Sequence, residues 1–461
     1  MKKLPFLILL QAALGSCVLL AQADPYAGYT NTDSYFLPYA TGGFAPGNTN
    51  DVTISFTLPG STGLSTNFTM NVDTGSRGVF ASSDALGNNF TNAGSFSGLI
   101  NLSSSGRVYD GYWTPTTMTF SVTNLSTGHL DTITSSVTIL DVQKLTCDTA
   151  HASTTFGIKD SAASNGTVLL DGGGTANYTN RVLTLSTGQS VSYASNPGLL
   201  ADVSNFGVGF YLGGVTNSTT TGPIANNQNQ IYNPLINLNN TNLAAGYIVK
   251  TNGIQLGLAN NVSGYAYTKL NPTGLSSTNS VPDWQASMGT VVNGGVTNNP
   301  GTVLLDSGIS GAYFSASGLA SSNDIVSNNI TVQLLNSGGA VGGGVGYHID
   351  MSSNSALNPT DISFSTSGTN GIFSQNQSPW GPNYFNTGRN VFDAFNMLYD
   401  AQNGYMGLLT NDYGSSLVGN GTVYFSAQAG GFPNPVPEPS AIALFSLSGL
   451  VLLAFCRRKQ A

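Results

Sequence analysis

The apolar positions of this chain fall in short runs, separated by segments rich in glycine, asparagine, serine and threonine. Short apolar runs bounded in this way are typical of β-strands, and Gly/Asn segments are typical of tight turns. Helical periodicity is scarce, and neither a heptad nor a longer internal repeat is evident. The pattern therefore predicts an all-β protein built from short strands joined by tight turns.

Two apolar runs end in the same small motif, one in each half of the chain. Residues 70–80 read MNVDTGSRGVF, with Asp73 at the end of the run, and residues 301–314 read GTVLLDSGISGAYF, with Asp306 at the equivalent place. A single Asp-x-Gly is an ordinary turn former. Two copies, each following an apolar strand and each continuing into apolar residues, indicate a shared site.

A third run limits this interpretation. Residues 166–175 read GTVLLDGGGT, which matches the second run up to Asp171 and then continues with glycines. Because this segment offers neither a hydroxyl nor an apolar continuation, we interpret Asp171 as a turn residue.

Paired aspartates suggest a specific chemistry. Two carboxyl groups about 3 Å apart cannot both ionise because like charges repel, so the pair shares one proton. The protonated acid can polarise a substrate carbonyl, while the ionised acid takes a proton from a water between them. Such a pair titrates as a unit.

Composition narrows the alternatives. Charged residues are 7% of the chain and the formal net charge is −8, so we expect no nucleic-acid partner. The one glutamate is Glu438, which leaves aspartate as the acid–base carboxylate within the fold. His129, His151 and His348 lack metal-ligand spacing. We therefore expect neither a metal nor an organic cofactor.

The N-terminus predicts export. Lys2 and Lys3 precede an apolar run, and residues 21–23 (Ala-Gln-Ala) form a small-x-small cleavage site. These features predict a secretory signal peptide over residues 1–23. Residues 14–17 resemble a lipoprotein box, which leaves lipidation of Cys17 as an alternative.

The C-terminus contains a second predicted targeting signal. Residues 437–439 (Pro-Glu-Pro) precede an apolar stretch at 441–456 and a basic cluster at 457–459. The stretch is slightly short of the about 20 residues that a membrane helix needs, and a plain anchor is one interpretation. The order of these parts closely resembles the PEP-CTERM sorting signal. That resemblance implies transient anchorage in the inner membrane, removal of the tail by an exosortase, and delivery to the cell surface or beyond.

The two aspartate motifs resemble the active-site signatures of pepsin-like (A1) aspartic proteases. Residues 388–408, which read GRNVFDAFNMLYDAQNGYMGL, are similar to the family's C-terminal block. The resemblance implies an all-β, bilobal fold with an active-site cleft between the lobes. The N-terminal lobe would span residues 24–245 and carry Asp73, and the C-terminal lobe 246–432 would carry Asp306. The sorting tail would occupy 433–461.

The resemblance also implies roles for individual residues. Asp73 and Asp306 would be catalytic, and the supporting residues would be Thr74, Gly75, Ser76, Ser307, Gly308 and Ser310. The family usually has a hydroxyl after each Asp-x-Gly, which Ser76 provides in the first motif. Ile309 stands there in the second, so Asp306 would lose a hydrogen bond unless Ser310 replaces it.

Two further segments bear on the site. The segment at 205–210 (NFGVGF) resembles the family's apolar-apolar-Gly stretch behind the first aspartate loop, whereas Asn386 and Thr387 replace the apolar pair before Gly388. The hairpin at 100–120 has the position of the family's flap. Leu102 stands where the family has a tyrosine. Tyr109 or Tyr112 would serve instead, or else each is a strand residue that covers the core.

These inferences predict a secreted, monomeric aspartic endopeptidase that hydrolyses extended polypeptides with apolar side chains, most rapidly at acid pH. The alternative is a pepsin-fold surface or extracellular-matrix protein of a biofilm-forming bacterium with little or no catalysis. Ile309 and Leu102 favour the alternative, and the intact aspartate pair favours the enzyme.

Overall fold

The computed structural model describes the central part of the chain with gaps. The described residues are 33–48, 50–59, 65–86, 96–102, 107–148, 166–170, 175–179, 182–185, 190–194, 203–209, 233–240, 242–259, 262, 264–276, 281–293, 296–297, 300–315, 329–336, 340–350, 362–365, 384–413 and 423–424. The predicted signal peptide, the sorting tail and Asp171 lie outside them.

Strands dominate the described residues, which confirms the predicted all-β class. The strands up to residue 258 are β1 (Tyr35–Pro38), β2 (Thr53–Pro59), β3 (Ser65–Asp73), β4 (Arg77–Ser82), β5 (Phe96–Leu102), β6 (Arg107–Asn124), β7 (Leu130–Asp148), β8 (Gly166–Leu170), β9 (Thr175–Thr179), β10 (Val182–Leu185), β11 (Ser190–Ala194), β12 (Ser204–Val208), β13 (Ala244–Val249) and β14 (Gly253–Leu258).

The strands of the remaining chain are β15 (Ala266–Lys269), β16 (Pro272–Ser276), β17 (Pro282–Trp284), β18 (Ser287–Asn293), β19 (Val296–Thr297), β20 (Gly301–Leu304), β21 (Ala312–Ser315), β22 (Asn329–Asn336), β23 (Ala340–Asp350), β24 (Ile362–Ser365), β25 (Tyr384–Asn386), β26 (Phe395–Asp400), β27 (Tyr405–Thr410) and β28 (Val423–Tyr424). The helices within the described part are short: α1 (Ser83–Leu86) and α2 (Asn390–Ala394).

The described strands form two large sheets and a small one. The first large sheet contains β1–β15 together with β26 and β27, and the second contains β18–β25 and β28. β16 and β17 pair separately. Asp73 lies in the first large sheet, and Asp306 follows β20 of the second.

The first sheet collects strands from the beginning, middle and end of the chain. β14 pairs with β1 and β13, and β13 pairs with β26. β26 in turn pairs with β27, and β27 with β15. The predicted boundary between residues 245 and 246 falls inside β13, and the division into two lobes stays a prediction.

Apolar side chains pack behind both aspartate segments. Phe206 of β12 lies 5.5 Å from Phe56 and 6.0 Å from Phe120, measured between ring centroids. In the second sheet, the rings of Phe314 and Phe385 lie 6.2 Å apart. Because these rings are buried, they hold the strands next to the aspartates in place.

Candidate active site

The strands around the two aspartates have the same local topology, with Asp73 at the end of β3 and Asp306 just after β20. β12 runs parallel to β3, with Phe206 opposite Val72, and antiparallel to β4. β25 runs parallel to β20, with Asn386 opposite Leu304, and antiparallel to β21. In both sheets a late strand therefore inserts between the two strands that flank an Asp-x-Gly turn.

The two turns face each other at close range. A Cβ atom added to Gly75 would lie 2.2 Å from Cγ of Asp306, and one added to Gly308 would lie 2.6 Å from Oδ1 of Asp73. Carboxylate and backbone can approach this closely because glycine has no side chain. The structure thus brings Asp73 and Asp306 together, each against the other's glycine.

Reciprocal hydrogen bonds lock the turns together. Thr74 Oγ1 donates to the Leu305 carbonyl (2.6 Å) and accepts from the Ser307 backbone N–H (2.9 Å). Ser307 Oγ donates to the Val72 carbonyl (3.0 Å) and accepts from the Thr74 backbone N–H (3.0 Å). Each hydroxyl uses both its donor and an acceptor site, so the buried groups of the junction satisfy one another.

Backbone and side-chain donors hold both carboxyl groups. The N–H of Gly75 donates to Asp73 Oδ1 at 2.7 Å, and that of Gly308 donates to Asp306 Oδ1 at 2.8 Å. The side-chain amide of Asn205 donates to Asp73 Oδ2 at 3.0 Å. That of Asn386 donates to Asp306 Oδ2 at 2.6 Å. The two acids therefore have matching partners on each oxygen.

Burial and mutual repulsion favour a protonated acid at this site. Asp73 is 9% exposed and Asp306 is 6% exposed. Burial raises the pKa of Asp306 from 3.8 to about 8, with the charge of Asp73 as the next cause and a hydrogen bond between the carboxyl groups as a further one. Hydrogen bonds from Asn386 and Gly308 oppose the rise. Asp306 is thus a candidate for the proton-bearing member of the pair.

A tyrosine lies beside the second carboxyl group. Asn386 also approaches the hydroxyl oxygen of Tyr384, at 3.4 Å from Nδ2. Burial raises the pKa of Tyr384, and the charge of Asp306 raises it further. The phenol therefore stays protonated and keeps a donor near the aspartate pair.

The residues that follow the two Asp-x-Gly motifs differ in burial. Ser76 is buried, and its Oγ accepts from Asn205 Nδ2 at 2.6 Å. Ile309 is partly exposed and Ser310 is exposed. The Asn386 amide donates to Asp306 Oδ2, so this oxygen has a partner from another strand, and a supporting role for Ser310 stays a prediction.

The flap candidates stay predictions. Leu102 is opposite Arg107 in the β5–β6 hairpin, and its side chain lies outside the described part. Tyr109 is buried, and its ring packs 4.7 Å from that of Phe80, between centroids. This contact places Tyr109 against the strand that follows the first aspartate turn.

The contacts of Asn205 and Asn386 with the two carboxyl groups could not be predicted from the family pattern. Asn205 and Asn386 each precede a glycine by two residues, in Asn205-Phe-Gly and Asn386-Thr-Gly. This repeated Asn-x-Gly was the available signal, but asparagine is common throughout the chain. The polar residue at 386 instead counted as a departure from the family pattern.

No group of three or more His, Cys, Asp or Glu side chains that could hold a metal ion occurs in the described residues. The chemistry available to the described site is that of two coupled carboxyl groups with fixed hydrogen-bond donors. Such a site can exchange protons with a substrate and a water molecule.

Comparison with known proteins identifies the C-terminal sorting signal. Residues 435–459 match the family model of the PEP-CTERM protein-sorting motif. The protein is therefore exported, is recognised by the exosortase sorting machinery and is sorted to the cell envelope. No curated protein matches the chain. Among the described residues, no helix is long and apolar enough to cross a membrane.

Proposed function

We propose that this protein is an exported aspartic endopeptidase with a pepsin-like, bilobal fold. The observation that carries the proposal is the pair of buried carboxyl groups, Asp73 and Asp306, each against the other's Asp-x-Gly turn. The repeated topology around the two turns supports it, since β12 and β25 occupy equivalent positions. The predicted lobes, 24–245 and 246–432, would each contribute one turn to the cleft.

The proposed reaction uses one proton between two acids. Asp306 holds the proton and donates a hydrogen bond to the carbonyl oxygen of the scissile peptide, because its pKa is raised by burial and by Asp73. Asp73, as carboxylate, takes a proton from a water molecule whose oxygen attacks the carbonyl carbon. Collapse of the tetrahedral intermediate breaks the C–N bond, Asp73 passes the proton it took from water to the leaving nitrogen, and Asp306 keeps its own proton. Both acids are then ready for another cycle.

The substrate proposed is an extended polypeptide with apolar side chains, held by backbone hydrogen bonds under the β5–β6 hairpin. An acid optimum stays a prediction. The raised pKa of Asp306 extends the pH range over which the pair keeps its proton, compared with an ordinary aspartate. Transient anchorage by the tail and its later removal are part of the proposal.

The alternative is a surface protein of the same fold without catalysis. Ile309 favoured it, because it removes the hydroxyl that would donate a hydrogen bond to the outer oxygen of Asp306. The Asn386 hydrogen bond removes that reason. Leu102 is the remaining reason, since it leaves the flap without the family's tyrosine.

A cleavage assay separates the two. We expect the exported chain to cut a denatured polypeptide at acid pH, and the activity to be lost as the pH rises through about 8, where Asp306 gives up the shared proton. Asp73→Asn and Asp306→Asn should each reduce the rate at least about a thousandfold, since water activation and carbonyl polarisation both fail. Asp131→Asn, at an exposed site in β7, serves as the control. Equal activity in all four proteins, or none in the wild type, would contradict the proposal.

A further inference from the structure

The outer oxygens of the two carboxyl groups meet the same kind of partner. Asn205 Nδ2 reaches Asp73 Oδ2 at 3.0 Å and Asn386 Nδ2 reaches Asp306 Oδ2 at 2.6 Å. Each amide also contacts a hydroxyl, Ser76 in the first half and Tyr384 in the second. The contacts repeat although the hydroxyls come from different places in the chain.

Strand register explains the repetition. Asn386 is opposite Leu304, which stands two residues before Asp306. Asn205 precedes Phe206, whose partner Val72 directly precedes Asp73, so Asn205 is likewise level with a position two residues before its aspartate. Side chains two residues apart on neighbouring strands share a face. The inserted strand therefore positions each asparagine side chain next to its carboxylate.

The orientation of the Asn386 amide is fixed by its surroundings. The backbone N–H of Gly388 donates to Asn386 Oδ1 at 3.0 Å. Because a backbone N–H can only donate, the oxygen of the amide must face Gly388 and the NH₂ must face Asp306. An amide nitrogen cannot accept a proton, whereas a hydroxyl in the same place could rotate and do so.

We propose that Asn386 and Asn205 are positioning residues of the aspartate pair, and that Asn386 supplies the hydrogen bond that Ile309 cannot. Donor-only partners on both outer oxygens confine the shared proton to the side where the carboxyl groups face each other. Asp73, across the gap, and Tyr384, on β25, are the titratable groups facing Asp306 in the described part. The inference rests on the proposed function for its kinetic readout alone.

Removing the amide tests the inference. A hydrogen bond to the ionised acid favours that form, so its loss favours the protonated form. In Asn386→Leu we expect the upper limb of the pH–rate profile, where Asp306 loses its proton, to move up by about one pH unit and the rate to fall roughly tenfold. Asn386→Leu with Ile309→Thr, which returns the family's hydroxyl, should recover most of both changes.

A matched control separates positioning from folding. Asn237 is also a buried asparagine, and its amide donates to the Ser136 carbonyl away from the aspartates. Asn237→Leu should lower stability and leave the upper limb where it is. If Asn386→Leu slows the reaction without moving that limb, its role is only structural and the inference fails.

A readout that needs no turnover distinguishes this inference from the proposed function. The infrared carbonyl band of the protonated carboxyl group should titrate at higher pH in Asn386→Leu than in wild type, even if neither cleaves anything. If the band titrates at higher pH in the variant but the wild type cleaves nothing, the proposed enzymatic function is contradicted and the positioning role is supported. If the wild type is active but the band titrates at the same pH in both proteins, the enzymatic function is supported and the positioning role is contradicted.

If Asn386→Leu does not fold, the inference can be tested by NMR of the wild-type protein. Side-chain amide resonances of Asn386 and Asn205 should then shift with pH at the midpoint of the Asp306 carboxyl titration, and those of Asn237 should not. If the Asn386 amide resonances do not change chemical shift at this midpoint, the inference is contradicted.

Discussion

At the scale of single residues, the lack of a side chain at Gly75 and Gly308 allows each carboxyl group to approach the opposite turn closely. A Cβ at Gly75 would lie 2.2 Å from Cγ of Asp306, a separation that real Cβ contacts do not show. The carboxyl group would have to move, and its hydrogen bond from Gly308 would move with it. Small displacements of catalytic groups carry large rate costs.

We therefore expect Gly75→Ala to lose at least about a hundredfold in cleavage rate while the fold is retained. Gly128→Ala is the control, because nothing lies within 4 Å of its added Cβ, although its positive φ of 73° costs about 1–2 kcal/mol. Initial rates with circular dichroism of both variants test this. Full activity in Gly75→Ala would mean that the two turns are not in the working arrangement.

The aspartates could be predicted from sequence, and their amide partners could not. Asp73 and Asp306 end apolar strands, so a local pattern exposes them. Asn386 is 80 residues from Asp306, and their contact depends on β25 pairing in parallel with β20. Such long-range pairing leaves no local trace in one sequence. Ile309 therefore suggested a missing hydrogen bond that another element provides.

At the scale of elements, the two turns are held as one unit by Thr74 and Ser307. The Thr74 hydroxyl satisfies the Leu305 carbonyl and the Ser307 N–H, which are groups of the opposite turn. A buried backbone group that loses its partner costs about 1–3 kcal/mol. The junction thus contributes to both stability and the spacing of the aspartates.

Thr74→Val should lower the free energy of unfolding by about 2–6 kcal/mol, because two buried backbone groups lose their partner. Thr74→Ser keeps the hydroxyl and should lose much less. Urea unfolding of both variants, and of each combined with Ser307→Ala, measures the coupling. Strict additivity of Thr74→Val and Ser307→Ala would contradict a shared network.

Strand existence was predictable and strand partnership was not. The Gly- and Asn-rich punctuation predicts short strands, and the described residues confirm the class. β6 and β7, however, extend over 18 and 19 residues and pair along most of their length. Their length reflects mutual pairing and burial against the core, which a window of sequence does not contain.

At the scale of the whole molecule, the site imposes a pH dependence on stability. Burial raises the pKa of Asp306 from 3.8 to about 8, and burial raises that of Asp393 in α2 to about 7, against the nearby charge of Arg389. The folded state then binds more protons than the unfolded state between about pH 4 and 8. The stabilisation is complete below the unfolded pKa and is lost as pH rises through the folded one.

The free energy of unfolding should accordingly fall between pH 5 and 8. Asp306→Asn should flatten this fall and make the variant more stable than wild type at pH 8, a trade-off expected where function requires a buried acid. Urea midpoints across that range provide the measurement, with Asp131→Asn as the exposed control. An unchanged slope in Asp306→Asn would show that its carboxyl group titrates normally.

The chain's destination was the most predictable whole-molecule property. A sorting tail is a linear signal, so its order of residues suffices, and residues 435–459 match the PEP-CTERM motif. The sheet that joins β1, β13 and β26 draws on the start, middle and end of the chain. Long-range assembly of this kind became visible only with the folded structure.

The proposed function depends most on Asp73 and Asp306 lying close enough to share one proton. Carbon-13 NMR of labelled aspartate carboxyl groups, recorded against pH in wild type and Asp73→Asn, tests it directly. We expect Asp306 to titrate near pH 8 in wild type and at least about one unit lower once the charge of Asp73 is removed. The same midpoint in both proteins would mean that the two acids do not share a proton.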